Sequence, residues 1–217
     1  MDTKRYKAVI LDMGGVLLPS HFQHYSKEEW NKISTILLSE EFIPKFHAFE
    51  VGEISLEEFH PMFQECYYKH HGVHLKRELD TMRHHIIPGR PESTVIPIWY
   101  PVLKKLREEG YIIAVLTNNY WIDKAKTGKT TPLDEKHFDA IFESCKLGMR
   151  KPNPNIYQHV LNELKIVPEE AIFIDDVVQN LEGASRLGIT TIHCTHVDKT
   201  IDALEEILKI SLNDKNN

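Results

Sequence analysis

The sequence predicts an α/β fold, a parallel-sheet core interrupted by an inserted helical cap. Three observations carry this reading. The apolar run Ala8–Leu11 passes straight into Asp12 and then Gly14 and Gly15. From Tyr111 onward, short apolar segments alternate with helical ones. Between the two lie nearly a hundred residues of helical composition, where a crossover between parallel strands needs only about a dozen.

A short apolar run bounded by turn residues is the pattern of a strand buried on both faces. Glycines directly after it permit a sharp turn and close approach of a ligand. Asp12 is therefore expected at the carboxyl end of a central strand, where open α/β sheets place their ligand crevice. Alone, it could equally be an acidic residue that opens a loop.

The insertion reads as helices. Ser26 caps one through Leu38, with Glu28 and Glu29 in its first turn and Trp30, Ile33, Ile36 and Leu37 on one face. Glu41 to Val51 places Phe42, Phe46 and Phe49 at helical spacing, and Ser55 opens the capping-box pattern SLEE ahead of Phe59, Met62, Phe63 and Cys66. These aromatic stripes read as packing between cap helices, ahead of a substrate cage. The expected division is a cap at residues 20–88 within a core of 1–19 and 89–217. Pro88, Pro91, Pro97 and Pro101 punctuate the return, and a helix from about Ile98 to Glu109 leads to Gly110.

Beyond it the expected strands are Tyr111–Thr117, Ala140–Glu143, Ala171–Asp175 and Thr190–Cys194. The expected helices are part of Trp121–Lys136, then Asn155–Leu164, Leu181–Leu187 and Ile201–Ile210. Such alternation implies a parallel sheet covered on both faces with right-handed crossovers. The polar tail Asn213–Asn217 is expected to fray.

Composition narrows the function classes. Of 217 residues, 26 are basic and 32 acidic, a net charge of -6, which argues against nonspecific binding of nucleic acid. Cys66, Cys145 and Cys194 are odd in number and widely spaced, so free thiols in a reducing compartment are expected. The amino terminus carries only four apolar residues ahead of Asp12, too few for a secretory segment, and no apolar run approaches membrane-spanning length. The expectation is a cytoplasmic protein with a small-molecule partner. The oligomeric state is open.

Three strand ends carry chemistry. Thr117, Asn118 and Asn119 offer a hydroxyl and backbone N–H groups at a strand-to-helix turn, suited to an oxyanion or phosphate. An ordinary cap with Asn side chains closing a turn is an equal reading. In GMRKPNPNIY, Lys151 precedes Pro152 and is biased toward extended backbone. Lys151 and Arg150 would by default be solvated cations. Asp175 and Asp176 follow an apolar strand, a costly placement unless a cation neutralises them. With Asp12 on a neighbouring strand end, three carboxylates would converge on an oxygen-rich site suited to Mg²⁺.

The ordered set Asp, Thr-Asn, Lys and Asp-Asp stands in the chain as DMGGV, VLTNN, GMRKPNPNIYQHVL and IDDVVQNLEGASRLGI. It resembles the haloacid dehalogenase superfamily across essentially the whole chain. The resemblance implies a Rossmann-like core and a hydrolase, most similar to its phosphatases. It implies Asp12 as a nucleophile forming an aspartyl-phosphate. It implies Thr117 and the Asn118 backbone as phosphate ligands and Lys151 as the neutralising cation. Asp12, the Gly14 backbone carbonyl, Asp175 and Asp176 would hold Mg²⁺, with Asp176 the favoured direct ligand.

One position departs from that pattern. Phosphatases of the superfamily usually carry an acid–base Asp two residues after the nucleophile, and here Gly14 stands there. The leaving group could depart unaided. His21, His24 or a cap lysine could substitute. Or the chain could be a catalytically weak or inactive phosphate-binding domain. A metal-independent dehalogenase-type hydrolase is a further alternative. A receiver-type phosphoacceptor domain is a weaker one, because its acidic pair follows the first strand.

Overall fold

The computed structural model describes residues 5–20, 25–75, 95–128, 130–131 and 133–212. Its five parallel strands are β1 (Ala8–Leu11), β2 (Ile112–Thr117), β3 (Ala140–Glu143), β4 (Ala171–Asp175) and β5 (Thr190–His193), in spatial order β3-β2-β1-β4-β5. The chain winds outward through β2 and β3, then returns to add β4 on the other side of β1. The strand order therefore reverses at β1, where a doubly wound sheet opens its crevice.

The helices among the described residues are α1 (Lys27–Leu37), α2 (Ile43–Glu50), α3 (Leu56–His71), α4 (Trp99–Glu108), α5 (Ser144–Leu147), α6 (Pro154–Leu164), α7 (Val178–Ser185) and α8 (Val197–Leu208). Alternation along the strands divides the core in two. Val9, Leu11, Ile113, Val115, Ile172 and Ile174 face Trp99 and Leu103 of α4 and Ile201 and Leu204 of α8. Ala8, Ile10, Ala114, Leu116 and Phe173 face Ile156 and Val160 of α6 and Leu181 and Ala184 of α7. Both faces are covered, so β1 and β4 are buried throughout, which is why their sequences are continuous apolar runs.

The inserted helices α1–α3 have their own apolar cluster. Phe42 meets Phe59 and Phe63 edge-on at 5.4 and 5.5 Å, and Phe49 stacks between Phe59 and Tyr120 at 4.2 and 4.3 Å. Ser26 and Glu29 form the reciprocal capping box, with bonds of 3.2 and 2.9 Å. Glu58 accepts from both the Ser55 backbone and hydroxyl at 3.0 Å.

Three expected elements differ. Among the described residues of Trp121–Lys136 there is no α-helix, only the short 3₁₀ turn Glu135–His137. Gly128 disfavours helical continuation, and the early part of the segment binds α3 instead: Leu56 and Glu57 N–H donate to Trp121 O and Ile122 O at 2.8 and 3.2 Å. α7 begins at Val178 rather than Leu181, and α8 at Val197 rather than Ile201. Pro88, Pro91, His21, His24 and Asn213–Asn217 lie outside the described residues.

Candidate active site

The β1 ladder continues one residue past the strand, with Asp12 N–H donating to Ile174 O at 2.8 Å. This fixes Asp12 beside the end of β4, where Asp175 sits fully buried. Directly after Asp12 the chain turns back on itself. Leu17 and Leu18 N–H both donate to Met13 O, and Trp99 Nε1 clamps Val16 O at 2.8 Å. Gly15 has φ +77°, and a Cβ there would collide with the Asp176 carboxylate. Glycine at 15 is thus what lets Asp176 close against this turn.

Lys151 is not a solvated cation. It is 1% exposed, and its ammonium uses all three protons: to Asp12 Oδ1 at 2.8 Å, Asp175 Oδ2 at 2.6 Å and Leu116 O at 2.8 Å. The Asn118 side chain brackets its backbone, accepting from Lys151 N–H at 2.9 Å and donating to Lys151 O at 3.1 Å. The following Lys151–Pro152 peptide is cis. Arg150 is not solvated either, because its Nε donates to Glu50 Oε2 of α2 at 2.6 Å.

The acidic pair divides its work. Asp175 Oδ1 accepts from Val177 N–H at 2.7 Å, and Asn180 Nδ2 lies 3.1 Å from both Asp175 oxygens. Asp175 is therefore saturated by Lys151, Val177 and Asn180. Asp176 faces the Gly15 turn, and its backbone carbonyl is 3.1 Å from His193 Nε2. Carboxylate oxygens of Asp12, Asp175 and Asp176 lie within 4.8 Å of one another.

Three carboxylates meet one ammonium, and the electrostatics record the imbalance. Burial pushes the Asp12 carboxyl up to about 7; Lys151 opposes this, and Asp175 and Asp176 add to it. Burial and Asp175 likewise raise Asp176. For Lys151, burial alone would lower the pKa, but Asp12 and Asp175 outweigh it and hold the ammonium charged. An all-oxygen donor set with surplus negative charge fits a hard divalent cation. A second group with ligand atoms within 4.8 Å joins Cys66 and His70 of α3 to Glu41 in the turn ahead of α2. There the Glu41 carboxylate already carries Lys69 at 3.1 and 3.2 Å.

Thr117 ends β2, 3% exposed, its hydroxyl 3.5 Å from Asn118 O. Asn119 closes a turn: its Nδ2 donates to Thr130 O at 2.6 Å and Glu143 Oε2 at 2.8 Å. Gly14 pairs with Leu18 in an isolated bridge. Sequence reasoning missed Glu50, the Asn118 side chain and Asn180. Only Asn180 had a local signal, since a polar residue five positions past Asp175 falls in the first turn of the following helix.

A model of the haloacid dehalogenase-like hydrolases matches residues 6–188. The chain is 32% identical to acyl-CoA dehydrogenase family member 10 of Mus musculus over 96% of its length, and 31% identical to bifunctional epoxide hydrolase 2 of Sus scrofa over 95%. It spans only 20% and 39% of those two proteins. It is also 28% identical to a sesquiterpene phosphatase of Aspergillus oryzae, covering 94% of this chain and 97% of that one. Among solved structures, a family enzyme of Bacteroides thetaiotaomicron in its magnesium complex superposes with TM-score 0.57 at 27% identity, covering 88% of this chain and 93% of that one. With a matching family model over most of its length and these carboxylates at its strand ends, the chain belongs to the haloacid dehalogenase-like hydrolases.

Proposed function

We propose that this hydrolase is a Mg²⁺-dependent phosphatase of a small phosphorylated metabolite, acting through an aspartyl-phosphate on Asp12. The observation that carries the reading is the convergence of Asp12, Asp175 and Asp176 around one fully engaged lysine. The likeness to a sesquiterpene phosphatase and to a magnesium-bound family enzyme supports it.

In this reading Asp12, Asp176 and the Gly14 carbonyl hold Mg²⁺, while Asp175 orders the cluster through Lys151 and Asn180. The ion, when bound, offsets the repulsion between the Asp12 carboxylate and an anionic phosphate. Asp12 attacks phosphorus, the ester oxygen leaves with its bonding pair, and water then splits the acyl phosphate to return the carboxylate and free phosphate. The Lys151 ammonium, whose three protons go to Asp12, Asp175 and Leu116 O, neutralises charge beside the phosphoryl group, and the Thr117–Asn118 turn binds its oxygens. The helices α1–α3 act as the cap over this site and contribute its substrate contacts. The setting is a cytoplasmic one.

Gly14 favours a second reading. With no carboxyl at that place to protonate the leaving group, the domain would bind phosphate with little turnover. A screen of phosphorylated metabolites with and without Mg²⁺, beside Asp12→Asn, separates the two. Hydrolysis that needs both Mg²⁺ and Asp12 establishes the phosphatase. Binding of a phosphate mimic such as beryllium fluoride without any hydrolysis establishes the binding module.

A further inference from the structure

Glu50 ends α2 and is the point at which the inserted helices reach the lysine loop. Its carboxylate takes Arg150 Nε at 2.6 Å, the two side chains 12% and 21% exposed. Burial raises the Glu50 carboxyl, and Arg150 opposes the rise. Asn118 is the residue that brackets the Lys151 backbone on both sides. The Glu50 carbonyl also accepts from Ser144 Oγ at 2.5 Å, and Ser144 Oγ receives Asn119 N–H at 2.8 Å. Two residues on, Gly52 with φ +76° brings this turn so near Cys145 that a Cβ would overlap the Cys145 backbone.

One inserted residue thus holds Arg150, the residue before Lys151, and Ser144, whose hydroxyl receives the N–H of Asn119, the neighbour of the asparagine that pins Lys151. The backbone tie from Leu56 and Glu57 N–H to Trp121 O and Ile122 O touches no member of the carboxylate cluster. We propose that Glu50 is a positioning residue that sets Lys151 through Arg150 and through the Ser144–Asn119 contact, so that the seating of the inserted helices tunes the phosphate site. The proposal rests on the reading of Lys151 as a phosphate-site cation. It gives α2 a task that packing alone does not. A buried charge pair used only as glue would change stability and nothing else.

The test uses the full chain as wild type, E50Q, E50D and R150K. It measures affinity for inorganic phosphate with Mg²⁺ by calorimetry, kcat and KM on an aryl phosphate, melting temperature, and the NMR resonance of the Lys151 ammonium without ligand. Expected is a shifted Lys151 resonance in E50Q, with phosphate affinity and kcat each down about tenfold or more at temperatures where the variant is folded, since small displacements at a reacting centre are costly. E50D, which keeps the charge, recovers part of the loss. If E50Q does not fold, R150K, which keeps charge but not the planar fork, carries the same expectations. An unmoved Lys151 resonance with unchanged phosphate affinity, whatever the melting temperature, overturns the proposal. Should wild type hydrolyse nothing, the phosphatase reading falls, and the resonance still decides the role of Glu50.

Discussion

Lys151 Nζ lies 2.8 Å from Asp12 Oδ1, and both groups are buried. Removing one member of a buried pair strands the other, typically at a cost of about 3–5 kcal/mol. Here Asp175 is stranded as well. Lys151→Met should therefore lower the melting temperature of the metal-free protein by roughly 10 °C, at about 2–4 °C per kcal/mol for a chain of this size. Mg²⁺ should recover part of that loss, while hydrolysis falls by about 10³-fold through the lost charge stabilisation. Thermal melts with and without Mg²⁺ check it, and an unchanged metal-free melting temperature would contradict the arrangement.

The elevated Asp12 carboxyl gives a pH dependence of definite sign. Folded, metal-free protein holds this proton up to about pH 7, whereas the unfolded chain releases it near 3.8. Between those values the native state binds more protons, so its stability falls as pH rises, by at most about 1.4 kcal/mol per pH unit from this group. Mg²⁺ competes with the same proton, so its apparent affinity should rise about tenfold per unit below pH 7 and level off above it. Calorimetry in buffers of different ionisation enthalpy would count the proton released. A Mg²⁺ affinity independent of pH from 5.5 to 7 would sink this account.

The strands were legible because a strand buried on both faces must be apolar throughout, and Ala8–Leu11 and Ala171–Asp175 are, up to the closing carboxylate. The carboxylates were legible because Asp12 follows one such run and Asp175 ends the other. What escaped were contacts between segments distant in sequence. Arg150 looks solvated until α2 delivers Glu50, a hundred residues away, to its side. The local sequence points to the Asn118 backbone N–H, yet the Asn118 side chain holds Lys151 across 33 residues. The helix expected within Trp121–Lys136 fails for a related reason: the segment spends its backbone groups on α3.

Gly15 and Gly110 form a matched pair. Both have positive φ, +77° and +76°, but a Cβ on Gly15 meets the Asp176 carboxylate and one on Gly110 meets nothing within 4 Å. Either change to Ala should cost about 1–2 kcal/mol of backbone strain. Only Gly15→Ala should also weaken Mg²⁺ binding, by displacing Asp176. Denaturant melts and Mg²⁺ titrations of both variants test this. Equal Mg²⁺ affinity in the two would place Asp176 outside the metal site.

Gly14 offers the sharpest test of the proposed chemistry. The left-handed glycine of the pair is Gly15. Gly14→Asp would install a carboxyl two residues after Asp12, the place at which the family resemblance leads one to expect an acid. Another negative group beside Asp12, Asp175 and Asp176 raises carboxyl pKa values by like-charge crowding, which favours the protonated form a general acid needs. An alkyl phosphate has a strongly basic leaving oxygen and gains from that proton, by as much as about 10²–10⁴-fold. An aryl phosphate, whose leaving group departs unaided, gains little. Gly14→Asp should therefore raise kcat/KM for alkyl phosphates while leaving aryl phosphates nearly unchanged, narrowing the ratio between them. Steady-state rates over a series of leaving groups give the slope against leaving-group pKa, which should flatten in the variant. A folded, Mg²⁺-binding Gly14→Asp protein with the wild-type slope would show that protonation of the leaving group does not limit this enzyme.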